Sequence, residues 1–562
     1  MLHQSFKNIN LLSIIAFTVT LLYGVIIFFH TDAAMEQDLG RHLTFGKIIW
    51  ESKKIPDVNL FSYTHPDFPF INHHWGSEVI FFLVHNTFSV TGLIILKVLI
   101  VTITLGILLL FTIKLSSVPI FLFTATVSFE LLKMRTQIRP EIFGYLCFSL
   151  FLIILTKAKK YPTKLVWLLP IIELVWVNLH ITYIYGLFIY VAFIIDRLIQ
   201  RKMEISYLLI GVTIFLSTLF NPFGLSGALY PFLMFKNYGY PIAENQSLLV
   251  LFEVLKTKTL FYFLFALIVL ILITPFLFQK LLFWEIIISY GTGFLIFTAV
   301  RHLPFFALTF LLVASRSLTC LKDNIGSILS LGNRKKLSLF FFTGFTLLIV
   351  FQSTRITSNR YYRSDNRSER FGIGSTKGMK LAVDYFLMNG LTGPIFNNFD
   401  IGSYLIYRLY PEELVFVDGR PEAYPVSFFQ QTYIPIQDNS SKWLEAEKKY
   451  NFQTVIFSHT DQTPWGKKFI RYIVNNPNWR LVYLDDTGII LRHSEVSNEM
   501  VKTNKNFIEK TGFDLLKKTQ DQEVVVRLIN FFNLVQAYEL EQIARIKYEQ
   551  VNNNSSLFLR SP

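Results

Sequence analysis

Three carboxylates stand where an apolar run gives way to water. In FFHTDAAMEQDLGRHLTFGKIIW, residues 28–50, Asp32, Glu36 and Asp38 follow directly on the apolar and small residues of 11–29. An acid at that level can take a proton from an acceptor hydroxyl, which is general-base work. If the following segment is helical, Asp38 and His42 lie side by side, so that the imidazole could orient the carboxylate. Leu39, Leu43, Gly46 and Trp50 then form an apolar stripe suited to lying on a bilayer. The alternative is that the three acids are solvated loop charges.

Further along, IPDVNLFSYTHPDFPFINHHWGSE (55–78) brings Tyr63, His65, His73, His74, Trp75 and Glu78 into a short segment. Its histidines and acid could hold a divalent metal, although the spacing fits no standard zinc pattern. Aromatic anchoring at the membrane surface accounts for part of its composition. Arg135 and Arg139 in RTQIRPE, and Arg301 with His302 in RHLP, stand at the ends of other apolar runs. Guanidinium binds phosphate oxygens bidentately, so a lipid phosphate is one partner for these arginines. Pairing with Glu130, Glu141 or the loop acids is the other. Asn178 and His180, in WVNLH, end a further run and could hydrogen-bond a sugar or cap helix ends.

The elements that must position these residues are membrane spans. The chain has 562 residues, of which 52% are hydrophobic, including 57 Phe, and its mean hydropathy is +0.42. Such a composition excludes an ordinary globular domain and indicates a polytopic membrane protein. Apolar runs at 11–29, 92–113, 117–133, 141–156, 164–179, 181–196, 205–220, 258–278, 281–299, 303–319 and 337–353 predict about eleven transmembrane helices. The run 77–90 contains Glu78 and His85 and is too short to cross, which predicts a helix lying in the interface. Cys147 and Cys320 both lie in apolar segments, so no disulfide framework can be built.

With a cytoplasmic amino terminus and 77–90 not crossing, Lys114, Lys157, Lys159, Lys160, Lys164, Arg197, Arg201, Lys202, Lys280, Arg334, Lys335 and Lys336 all face inside. This bias explains the net charge of +14 without nucleic acid, for which no binding module is visible. The same topology sends HTDAAMEQD, KMRTQIRPE, NLH, NPFG and RHLP to the opposite face, where they can share one site. The expected organisation is a transmembrane domain over 1–354, with a first extracytoplasmic loop at 30–90. A soluble α/β domain over 355–495 and a helical tail over 496–562 follow. Short β-prone runs at 394–399, 414–418, 454–458, 479–485 and 488–492 are its expected strands.

The first loop, EQDLGRHLTFGKIIWESKKIPDVNLFSYTHPDFPFINHHWGSEVIFF, resembles that of bacterial proteins in the GT-C glycosyltransferase superfamily, of the dolichyl-phosphate-mannose-protein mannosyltransferase-like kind. The matching positions are Asp38, His42, Leu43 and Gly46, then Ile55, Pro56, Phe61, Ser62, Tyr63 and Thr64, and then His73, Trp75 and Glu78. RTQIRPE, WVNLH, NPFG, RHLPFFAL and FNNFDIGSYLIYRLYPEELVFVDGRPEAY extend the resemblance over about 30–490. His74 stands where the group has Glu, and Gly76 where it has Leu.

What the resemblance implies is inverting transfer of a sugar from a polyprenyl-phosphate donor to a glycan, lipid or protein acceptor at the outer face of the cell membrane. Asp38 would be the base, with Asp32 as runner-up and Glu36 and His42 beside them. Arg135, Arg139, Arg301, His302, Asn178, His180, His73, Trp75 and Glu78 would form the substrate site, with a divalent metal as the one cofactor to test. The competing class is a transporter or lipid-binding scaffold on the same fold.

Overall fold

The computed structural model describes residues 10–33, 35–158, 164–233, 238–277, 283–325, 331–365, 367–494 and 499–557. Lys159, Lys160 and Lys280, used above to assign faces, lie outside the described residues, as do the side chains of Glu36 and Arg334. The chain is mostly helical and carries one small sheet near its C-terminus. Among the described residues, six helices are long and apolar enough to cross a membrane, and five shorter apolar helices pack with them. It is a multi-pass membrane protein.

The first loop follows the helix Leu11–Phe28. A π-helical turn, Met35–Leu39, runs without a break into the helix Gly40–Ser52. Trp75–Leu115 is then continuous except at Ser89, whose φ of 57° and ψ of −161° are not helical. That break falls where the interfacial run 77–90 was expected to give way to a span. Two short helices unforeseen in the sequence, Gly224–Leu233 and Leu248–Leu255, flank the 238–247 segment.

The sheet has the order β1 (Ile395–Asn397), β2 (Thr454–Ser458), β4 (Gly488–His493), β3 (Trp479–Leu484). β1 and β2 are parallel, and the other two pairings are antiparallel. The expected strand at 414–418 is not in it. There the side chain of Asn397 takes the place of a neighbouring strand, accepting from the Phe416 amide at 2.9 Å and donating to the Val417 carbonyl at 2.8 Å. Ser62 and Thr64 of the first loop donate to the Phe416 carbonyl, each at 3.0 Å. The buried backbone is satisfied, as burial requires, by these side chains and by the first loop, where the Val415 amide donates to the Phe61 carbonyl at 3.0 Å and the Tyr63 amide donates to the Val415 carbonyl at 3.3 Å. The helices Met500–Lys518, Gln522–Leu534 and Tyr538–Leu557 close the chain, the last running through the expected frayed tail at 552–556.

Two hydrophobic cores result. One joins the membrane helices, and the other joins the sheet and C-terminal helices. Phe45, Phe61 and Phe70 of the first loop belong to the second core, so the loop is wedged between membrane helices and sheet.

Candidate functional site

Asp38 lies within the π-helical turn, and among the described residues no hydrogen bond joins it to His42. It accepts from Arg41 Nη2 at 2.9 Å through Oδ1 and forms an ion pair with Arg139, whose Nη2 lies 3.1 Å from Oδ2. Burial works to raise its pKa, but the charges of Arg139 and Arg41 outweigh it and hold the carboxyl well below the usual carboxylate range. Its side chain stays 17% exposed, open to a cleft.

Arg139 is itself held in the segment between the helices Val118–Leu132 and Glu141–Ala158. Lys97, fully buried on Trp75–Leu115, donates to the Thr136 carbonyl at 2.8 Å, and His30 Nε2 lies 3.0 Å from the same oxygen. Arg139 also contacts Glu244 and donates to Gln37 Oε1 at 3.2 Å. Arg135 forks onto Glu141, Nε to Oε1 at 2.9 Å and Nη2 to Oε2 at 2.6 Å, and reaches Glu244 at 3.1 Å. The second reading of these two arginines, pairing with Glu141 and a loop acid, is the one seen. Glu130 pairs with Lys133 instead, at 2.6 Å. Arg301 differs: among the described residues it has no salt bridge to a carboxylate, and its buried Nε has no hydrogen-bond partner.

The polar cleft, about 670 Å³, is lined by Asp38, Arg41, His42, His73, His74, Arg135, Arg139, His180, Arg301 and His302 from the membrane side. Asp400, Gly419, Glu422, Asp461 and Trp465 line it from the sheet side. A second cavity of about 820 Å³ runs along membrane helices and is bounded by Phe188, Phe232, Phe294 and Leu295. Arg301 and His302 line both, as do Tyr238 and Tyr240. His302 Nδ1 is 2.6 Å from the Tyr185 hydroxyl.

Four imidazoles form one wall. The His74 ring lies 5.3 Å from His42, 3.9 Å from His73 and 5.0 Å from His180, centroid to centroid. Burial, with His180 beside it, brings the His73 pKa down to about 3, and burial brings His180 to about 3 although Glu141 opposes it. These rings are neutral hydrogen-bonding groups at neutral pH. His42 is oriented from behind by Glu78, 2.8 Å from Nδ1, whose other oxygen accepts from Asn72 at 2.7 Å.

Not every candidate reaches the cleft. Glu78, Trp75 and Asn178 stand behind it, where Trp75 Nε1 donates to Asn178 Oδ1 at 3.0 Å and Asn178 donates to the Phe220 carbonyl at 2.9 Å, a brace between helices. Asp32, 1% exposed, does not line it either, and its backbone pairs with Gly374 and Thr376. Arg41 and Glu244 escaped sequence reasoning. Arg41 had a signal in its i,i+3 spacing from Asp38, whereas Glu244 had none. Among the described residues no three His, Cys, Asp or Glu side chains are placed to hold a metal ion. Both Asp38 oxygens are engaged by arginines, so the side chains as arranged do not fit a divalent cation.

No protein-family model matches the sequence, and no curated protein matches it. Solved structures do. The archaeal oligosaccharyltransferase AglB of Archaeoglobus fulgidus, in complex with an inhibitory peptide and a dolichol-phosphate, matches with a TM-score of 0.55 at 12% identity, over 95% of this chain and 83% of that one. The Archaeoglobus fulgidus oligosaccharyltransferase tethered to an acceptor peptide with an NVT sequon matches with a TM-score of 0.52 at 12% identity, over 86% and 74%. The likeness to these structures is one of fold, and it runs across most of the chain.

Proposed function

We propose that this protein transfers a sugar, with inversion, from a polyprenyl-phosphate donor to a glycan, lipid or protein acceptor at the extracytoplasmic face of the cell membrane. The observation that carries this reading is Arg301: a half-buried guanidinium, its Nε enclosed and without a hydrogen-bond partner, with no carboxylate partner among the described residues, at the junction of an apolar cavity and a polar cleft. A prenyl chain suits the first and a sugar the second, which leaves the linking phosphate beside Arg301 and His302. The solved structures of the same fold hold an acceptor peptide in one case and a dolichol-phosphate in another. The arrangement read from the sequence goes with this: eleven spans in 1–354, an outer α/β domain in 355–495, and a helical tail beyond.

In that pose the acceptor hydroxyl enters from the sheet side. Its oxygen attacks the anomeric carbon on the face opposite the phosphate, Asp38 takes its proton, and the bond between anomeric carbon and phosphate oxygen breaks. The leaving phosphate keeps the electron pair, and Arg301 stabilises the charge that develops. A carboxylate held down by two arginines is a weak base. A bound phosphate would offset part of their charge and raise Asp38 toward useful basicity. A transporter would need polar groups along a path through the bilayer, whereas these collect at one end of the bundle.

The test uses purified protein, a panel of farnesyl-phosphate-linked sugars with turnover read as farnesyl phosphate release, and farnesyl phosphate itself as the binding probe. Asp38→Asn should lower turnover about 10²–10⁴-fold and leave binding unchanged. Arg301→Ala removes a charge-assisted hydrogen bond of about 1.5–3 kcal/mol, so farnesyl phosphate should bind about 10–150-fold more weakly. Full turnover in Asp38→Asn removes the base from this position. Unchanged binding in Arg301→Ala removes the phosphate seat, and no release from any donor by the unaltered protein leaves the scaffold reading as the better one.

A further inference from the structure

The motif FVDGR, 416–420, takes no part in the chemistry above, and its charged side chains turn inward. Arg420 is fully buried, and its guanidinium is gripped by Asp418, Nε to Oδ1 and Nη2 to Oδ2, both at 2.7 Å. Nη2 also reaches Asn59 Oδ1 at 2.8 Å, and the Tyr424 hydroxyl donates to Asp418 Oδ2 at 2.9 Å. The guanidinium lies 4.9–5.1 Å from the ring centres of Phe45, Phe61 and Phe70. Desolvating an ion pair costs free energy that well-packed apolar side chains of the same volume do not incur, so stability alone does not account for it. What a two-pronged pair supplies is a fixed direction.

Between the two charges sits Gly419. A side chain there would begin 2.7 Å from the Gln37 carbonyl oxygen and 3.9 Å from Asp38 Oδ1. Ser403 Oγ donates to that same carbonyl at 2.7 Å, and the Ser403 carbonyl leaves no room for a side chain on Gly40. The π-helical turn Met35–Leu39 is therefore pressed and hydrogen-bonded by the C-terminal segment on both sides of Asp38. We propose that the Asp418–Arg420 pair, acting through Gly419 and Ser403, is a positioning device that aims Asp38 into the cleft. It rests on the reading of Asp38 as the group that takes the acceptor proton.

The experiment compares Gly419→Ala, Ser403→Ala and Asp38→Asn in the full-length protein, with melting in detergent, farnesyl phosphate binding and farnesyl phosphate release from the sugar panel. A displacement of about 1 Å at a catalytic group costs on the order of 10²-fold in rate. Gly419→Ala should lose about that much kcat, while farnesyl phosphate binding and donor KM stay near those of the unaltered protein. Ser403→Ala, which adds no atom, should lose kcat less, with the same split. In both, the acid limb of kcat/KM should move to higher pH as Asp38 slips from its arginines, a shift that a merely structural defect would not cause. If Asp38→Asn is inactive and folded Gly419→Ala has full turnover, positioning fails while the base stands. If Asp38→Asn has full turnover, the base reading fails and this proposal with it. If Gly419→Ala does not fold, Ser403→Ala decides, and full turnover there overturns the proposal.

Discussion

Arg301 is half-buried and Arg420 fully buried, each with an enclosed guanidinium nitrogen that has no hydrogen-bond partner, and they are opposites. Arg420 is met by two carboxylate oxygens, an amide oxygen and three aromatic rings. Arg301 has no carboxylate partner among the described residues and borders two cavities. An enclosed nitrogen without a partner is common to both, so that alone does not mark function. The difference lies in what has been left for a ligand: a charge whose carboxylate is supplied by the chain holds shape, and a half-buried one without a carboxylate is costly until something anionic arrives.

Stability should separate them most. Arg420→Ala leaves Asp418 buried without its counter-charge, which typically costs about 3–5 kcal/mol, so melting in detergent should fall steeply. Arg301→Ala relieves a half-buried charge without a carboxylate partner among the described residues, and melting without ligand should stay level or rise. Equal destabilisation by both would erase the distinction. Ligand should then reverse the order: farnesyl phosphate at 100 times its Kd should stabilise the unaltered protein and Arg420→Lys by about 2.7 kcal/mol, and Arg301→Ala by much less. A protection in Arg301→Ala as large as in the unaltered protein would move the anion elsewhere.

The same contrast explains what could be read in advance. Asp38, Arg135, Arg139, His180 and Arg301 are scattered along the chain, yet all line one cleft, because each terminates an apolar run and the runs must end at a common level. The break at Ser89 falls where the sequence set the short run 77–90, with Glu78 and His85, apart from the span that follows. Partners were not legible. Asp38 lies within a π-helical turn and pairs with Arg41 and with Arg139 from a distant segment. Glu244 stands in a loop with no motif around it, and only folding brings it against Arg135 and Arg139. LVFVD has the pattern of a strand, but pattern reports burial and extension, and here the Asn397 side chain and a single bridge from the first loop to Val415 satisfy the backbone in place of a sheet neighbour.

The smallest expected effect concerns the pH at which Asp38 works. A base must be ionised, so rate is lost as pH falls through its pKa, and kcat/KM reports that pKa in the donor-free protein. Burial would raise it, but Arg139, Arg41 and the nearby His42 hold it below the ordinary value of about 3.9. The acid limb of the unaltered protein should therefore lie below about pH 4. The donor is a phosphodiester, singly charged throughout, so its own ionisation does not mask the limb. In Arg139→Gln the first of those charges is gone, burial counts for more, and the limb should move up by about one pH unit or more, with turnover at pH 7 changed only slightly. Stability follows the same sign. A carboxyl depressed in the folded state contributes stability that is present above its unfolded pKa and lost as pH falls through the folded one, so Arg139→Gln should narrow the acid tolerance of melting as well. A limb that stays in place in Arg139→Gln would mean that the titrating base is not the carboxylate this arginine holds, and the search would pass to acids on the sheet side of the cleft, Asp400 and Asp461.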